Sequence, residues 1–228
     1  MMFESISATN FEHSGSFYTN EFEDILRGMI VCYQCIYSSG VKLPNDENEI
    51  RNVMLKDYLK VKSFKESHFN LANYQFDLET IENTGRADIR ILKVNPYIDD
   101  YEYFVIECKR LNSKNLSGTT SLNSEYVKNG ICRFVSGYYS SYFGLNGMIG
   151  FVVDDLDIVN NITNLNSFLH KDLINEKQET VNAKAVQEIK QIELYESFRH
   201  SYASTHKTSS EREITLYHLM LDFSNNIQ

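Results

Sequence analysis

Two prolines and ten glycines in 228 residues leave little material for a long linker or a disordered block, both of which draw on these residues. The apolar runs are too short to cross a bilayer, and no basic stretch followed by an apolar one opens the chain. A secretory or membrane protein is therefore not expected, and a cytoplasmic one is. Cysteines number four: Cys32, Cys35, Cys108 and Cys132. The Cys32/Cys35 spacing offers half a zinc site, but the other two stand alone and a structural site wants four ligands. Reduced cysteines serving as small apolar residues are the better reading. Positive charge is also scarce. The net charge is −9 with no long Lys/Arg run, which by itself counts against a protein that coats nucleic acid. It leaves room for an enzyme whose acids bind metal, or one that borrows a basic surface from a partner.

What is present is ordinary for a globular chain: 42% hydrophobic and 23% charged residues, enough for one domain over 1–228 with a sizeable core. Phe22, Ile25, Leu26, Met29, Ile30, Tyr33, Ile36 and Tyr37 recur at helical spacing, predicting a helix over about 20–38 that Gly40 stops. A second helix begins at "PNDENEIRNVMLKDYLK", with Asn45 or Asp46 as cap and acids in its first turn. Three strand-like runs follow, "NYQFDLETIE", "GRADIRILKV" and "YEYFVIECKRL", separated by turn residues at 83–85 and in "NPYIDD". A helical pattern spans about 122–139, and "GMIGFVV" reads as a buried strand ending at Asp154. The last third predicts helices over about 156–169 and 183–198, a polar loop containing His206, and a late strand, "EITLYHLMLDFS". The expected class is α/β (α+β): a mixed sheet flanked by helices, in the order helix–three strands–helix–strand over about 46–154. Residues 155–224 and the first helix are additions.

The third strand run breaks its own pattern. After the core residues Phe104, Val105 and Ile106 come Glu107 and Lys109, which share one face of a strand while Cys108 turns to the other. On the strand before, Ala87, Ile89 and Ile91 alternate with a polar face on which Asp88 lies between Arg86 and Arg90. Paired as a hairpin, the two strands bring Asp88 and Glu107 to one point. Two carboxylates suit a hard divalent cation such as Mg²⁺, and a lysine beside them can align a water and stabilise charge on a phosphate.

Asp88, then Glu107-Cys108-Lys109 on the next strand within this element order, resembles the PD-(D/E)XK nuclease superfamily, which includes restriction endonucleases and bacterial phage-defence proteins. The resemblance covers roughly residues 46 to 154. Ala87 stands where the superfamily's motif has proline, a position that varies widely among its members. The resemblance implies that Asp88, Glu107 and the Cys108 backbone carbonyl bind Mg²⁺, with Mn²⁺ as a substitute, and that Lys109 is the catalytic lysine. An acid on the preceding helix often completes such a site; Glu49 is the candidate, with Glu47 behind it. Arg110 and Lys114, and Tyr126 and Arg133 on the following helix, are the candidates for contacting nucleic acid. The implied activity is metal-dependent hydrolysis of DNA, with RNA as the alternative substrate. A homo-oligomer or a partner subunit would supply DNA binding to so acidic a chain. The competing reading is a non-catalytic interaction subunit that keeps a nuclease-like fold.

Overall fold

The computed structural model describes residues 14–82, 85–94 and 102–228. The turns expected at 83–84 and within "NPYIDD" lie outside them.

The chain opens with α1 (Ser14–Ser39), whose stripe of Phe22, Ile25, Leu26, Met29, Ile30 and Ile36 is buried. Gly40, in the left-handed region at φ 66°, ends it. α2 (Glu47–Met54) starts at Asp46, whose carboxylate accepts from the N–H groups of Asn48 and Glu49, and it runs on as a π-helical turn, Leu55–Leu59. A short α3 (Lys62–Ser67) leads to β1 (Tyr74–Glu82), β2 (Gly85–Lys93) and β3 (Tyr103–Leu111). Next come α4 (Leu122–Tyr126) and α5 (Cys132–Val135), joined by a π turn over Val127–Ile131, and then β4 (Leu145–Val152). Helix–three strands–helix–strand is thus the observed order of this part of the chain.

The remainder is α6 (Ile158–Leu169), a small hairpin of β5 (Leu173–Ile174) and β6 (Thr180–Val181), then β7 (Ala185–Gln191), β8 (Ser201–Lys207) and β9 (Glu213–Asp222). One mixed sheet of seven strands runs β1-β2-β3-β4-β9-β8-β7. Its centre, β3-β4-β9, is parallel and both flanks are antiparallel. α1 and α2 cover one face through Phe22, Met29, Ile50 and Met54 against Ile89, Phe104, Ile106 and Leu219. On the other face, Val127, Ile131, Phe134, Leu165 and Phe168 pack against Val105, Met148, Leu216 and Met220. The fold is a mixed sheet between two helical layers.

Two expectations for the last third are corrected. The segment 183–198 is not a helix: Ala185–Gln191 pairs with β8 as the edge strand β7, and Tyr195 bridges Phe198. Only Ile189 of β7 is buried. Gln187, Glu188, Lys190 and Gln191 are charged or amide-bearing and exposed, which suits an edge open to water better than its helical spacing suggests. The polar loop expected around His206 is likewise a strand, β8, with Ser201, Ser204 and His206 buried.

Candidate active site

β2 and β3 pair only over Ile89–Leu92 with Ile106–Tyr103. Beyond Ile106, β3 leaves β2 and stays with β4 as far as Leu111. The Cys108 N–H that this divergence frees is taken by a side chain instead: Asp88 Oδ2 accepts it at 2.8 Å. Asp88 thus wedges the mouth of the opening pair, and Glu107 and Lys109 point into the gap from the face opposite Phe104, Ile106 and Cys108.

Glu107 lies at the bottom, 0% exposed, and both its oxygens are held. Oε1 accepts from Lys109 Nζ and from Arg133 Nη1 (2.7 Å); Oε2 accepts from Tyr139 Oη (2.6 Å). Burial pushes its carboxyl well up, to about 7, with Asp88 adding to the rise and Lys109 and Arg133 opposing it. Burial pushes the Lys109 ammonium down, but Glu107 first, then Asp88 and Glu47, outweigh that and hold it above its ordinary value. Burial and the Glu107 charge raise the Tyr139 hydroxyl, so it stays a donor.

Lys109 Nζ gathers oxygens. Besides Glu107 Oε1 it reaches the Cys108 carbonyl (2.7 Å), Glu47 Oε1 (3.5 Å) and Asp88 Oδ2 (4.0 Å). These are the oxygens that the sequence resemblance assigns to a metal, with Glu47 in place of Glu49. The exchange of acids follows from helix geometry: residues two apart on α2 point roughly 200° away from each other. Glu47 faces the cleft, where its Oε2 also accepts from the Arg110 N–H (2.9 Å), while Glu49 is exposed to solvent and does not line the cleft.

Among the described residues, no three His, Cys, Asp or Glu side chains are grouped to hold a metal; the carboxylates are drawn onto cations instead. In kind the residues still fit a hard divalent ion. Four oxygens, three from carboxylates and one from a backbone carbonyl, surround a single cationic point.

Arg51 joins the site without belonging to the sequence motif. It is 1% exposed on α2, donates through Nη1 to Asp88 Oδ1 and through Nη2 to Glu79 (2.8 Å), and its buried Nε has no partner. Glu79 reaches it from the middle of β1, where its backbone is left-handed at φ 49°, and also pairs with Arg86 (3.1 Å). The signal in the sequence was the four-residue step from Glu47 to Arg51, which puts acid and guanidinium on the same face of α2 as Met54. Tyr139 had no comparable signal, because it lies past the end of α5 and its hydroxyl returns to the sheet only in three dimensions.

The cleft, about 390 Å³, also takes in Arg86, Arg110, Arg133, Tyr138, Glu125 and Glu176. Of the residues expected to contact nucleic acid, Arg110 and Arg133 line it. Arg110 Nη1 is held by Asn45 (2.6 and 2.8 Å), and Arg133 is shared between Glu107 and Glu176 (2.8 Å). Lys114 is exposed and does not line it.

Tyr126 lies in the core, which corrects its assignment to the nucleic-acid surface. It begins a buried chain: Tyr126 Oη to His218 Nδ1 (2.9 Å), His218 Nε2 to Ser204 Oγ (2.7 Å), Ser204 Oγ to His206 Nε2 (2.7 Å), and His206 Nδ1 to the Ala183 carbonyl (2.7 Å). The last oxygen only accepts, so His206 Nδ1 carries hydrogen and its Nε2 accepts from Ser204. Ser204, having spent its one hydrogen, accepts from His218 Nε2–H, and His218 Nδ1 accepts from Tyr126. Both rings are neutral. Burial pushes His206 down to about 4 and His218 to about 3.

Compared with protein-family models, curated proteins and solved structures, the chain matches none.

Proposed function

We propose that the protein is a Mg²⁺-dependent nuclease that hydrolyses phosphodiester bonds of DNA, with Mn²⁺ able to substitute. The observation that carries this reading is the convergence of Glu47, Asp88, Glu107 and the Cys108 carbonyl around the Lys109 ammonium in one open cleft. Glu47, Asp88, Glu107 and the Cys108 carbonyl would hold a divalent ion, which would supply Lewis-acid chemistry there. The chain's own side chains do the rest. Asp88 is aimed by Arg51 and the Cys108 N–H, and Glu107 is fixed by Arg133 and Tyr139. Lys109 stands where it can align a water and neutralise charge developing on a phosphate oxygen. A restriction or phage-defence role, and a homodimer or partner subunit that delivers the nucleic acid, belong to the same proposal through the sequence resemblance.

One observation favours a second reading. The acids of the cleft are already paired internally, Asp88 with Arg51 and Glu107 with Lys109 and Arg133, as in an interaction subunit with a self-neutralised core. Incubating supercoiled plasmid and a structured RNA with the protein in Mg²⁺, Mn²⁺ or EDTA separates the two. The nuclease reading expects metal-dependent nicking of the plasmid, abolished by EDTA. RNA cleavage alone would reassign the substrate, and intact substrates in both metals would favour the interaction subunit.

A further inference from the structure

Arg133 divides its two outer nitrogens between two carboxylates in different surroundings. Nη1 faces inward, to the fully buried Glu107 and to Tyr139 Oη (3.0 Å). Nη2 faces outward, to Glu176 Oε1 at 2.8 Å, whose side chain is 51% exposed. The guanidinium lies over the Tyr138 ring, 5.2 Å from its centroid. The inner contact belongs to the packed site, and the outer one lies open to exchange at the mouth of the cleft.

Glu176 comes from the tip of the β5–β6 hairpin, an element outside the nuclease-like part of the chain. The tip holds its own shape. Asn175 Oδ1 accepts from the N–H groups of Lys177 and Glu179 (2.9 Å each), and the Asn175 N–H donates to the Glu179 carbonyl (3.0 Å). Leu173 anchors the hairpin in the core. Against the helical layer the tip makes two weak contacts: the Glu176 N–H to Asn129 Oδ1 at 3.4 Å, and the Lys177 ammonium 4.9 Å from the Tyr138 ring centroid. Its turn therefore does not depend on Arg133, and Glu176 can leave the arginine without the hairpin unfolding.

A carboxylate offers a guanidinium the same kind of acceptor oxygens as a phosphate does. We propose that Glu176 occupies the anion position on Arg133 in the ligand-free protein and competes there with the phosphate of an incoming phosphodiester. The hairpin tip is then a self-inhibitory arm of the cleft. This rests on the reading of the cleft as a phosphodiester site. An ion pair whose acid is half exposed to solvent adds little to folding, whereas an acid at the mouth repels any polyanion that approaches. Displacing the tip frees one arginine nitrogen and removes one opposing charge.

The test measures anisotropy of a fluorescein-labelled duplex oligonucleotide at low salt in EDTA, for the parent, Glu176→Gln, Arg133→Gln and the double variant, with thermal melts of each. The expected result is binding about fivefold tighter in Glu176→Gln, weaker in Arg133→Gln, and no gain from Glu176→Gln once Arg133 is gone. An unchanged affinity in Glu176→Gln overturns the proposal, and so does an equal gain in the Arg133→Gln background, since either outcome separates Glu176 from Arg133. A second arm titrates inorganic phosphate against the Arg133 and Tyr138 NMR resonances. If no variant binds DNA but phosphate binds Glu176→Gln more tightly than the parent, the DNA reading fails while the competition stands. No phosphate response in either protein, together with no DNA binding, overturns both.

Discussion

Removing one charge from the cleft leaves its partner buried, and the two ends of the network bear that loss differently. If Lys109 is replaced by Ala, Glu107 keeps Arg133 and Tyr139. If Asp88 is replaced by Ala, Arg51 keeps only Glu79, its Nε is already unpartnered, and the Cys108 N–H loses its acceptor. Asp88→Ala is therefore expected to cost more stability than Lys109→Ala, by roughly 2–4 kcal/mol. Urea denaturation of both variants in EDTA checks the order, and equal midpoints would mean that Arg51 finds another partner. Glu107 supplies a pH test. Its folded value, about 7, lies above the ordinary 4.5, so the folded state holds the proton longer. That contribution is full below pH 4.5 and is lost as pH rises through 7. In EDTA the melting temperature of Glu107→Gln relative to the parent should thus climb between pH 4.5 and 7, and a flat difference would place Glu107 in a more polar setting. At this scale the sequence was readable where strand alternation decides. Glu107 and Lys109 share a face as the period-two pattern requires, with Cys108 on the far face, whereas Asp88 reaches Lys109 from beyond the paired stretch of β2 and β3. The stretch itself does not rank Glu47 above Glu49, because the helical phase of α2 relative to the sheet is set only by tertiary packing. Arg51 was hidden because a buried arginine looks like a surface one until its partners are known.

Among the elements, the first two-thirds follow hydrophobic periodicity; in the last third α6 and β9 follow it too, while β7 and β8 depart from it. α1, the three strand runs, the helical pattern after them and β4 stand where the spacing of apolar residues puts them. β7 does not, because an edge strand needs only one buried side chain and its remaining residues are free to mimic a helix. β8 was unreadable for a different reason. Its inward positions, Ser204 and His206, are polar residues that can be buried only because Tyr126 and His218 from elsewhere in the chain complete their hydrogen bonds. Nitrogen NMR should find His206 protonated at Nδ1 and His218 at Nε2 at neutral pH; the opposite tautomer at either ring would break the chain as drawn. Ser204→Ala leaves two ring nitrogens buried without partners and should cost roughly 2–4 kcal/mol. Both folded histidine values lie below the ordinary 6.5, so their contribution is present above that pH and is lost as pH falls from 6.5 toward 3–4.

For the whole molecule, a net charge of −9 surrounds a cleft lined by arginines and a lysine that already have protein partners. No helix among the described residues is long and apolar enough to cross a membrane. The isolated chain is expected to bind DNA weakly, and more weakly as salt rises. Tight binding that ignores salt would put the nucleic-acid surface elsewhere. On the proposed reading everything depends on one cleft, and the exchange of Glu49 for Glu47 makes that cleft specific enough to contradict. The direct measurement is the rate of plasmid cleavage in Mg²⁺ by the parent, Asp88→Asn, Glu47→Gln and Glu49→Gln, each verified as folded. Asp88→Asn and Glu47→Gln should lose at least ~10²-fold in rate, and Glu49→Gln, pointing into solvent, should cut like the parent. Equal cleavage by all four, or a loss in Glu49→Gln alone, would contradict the account.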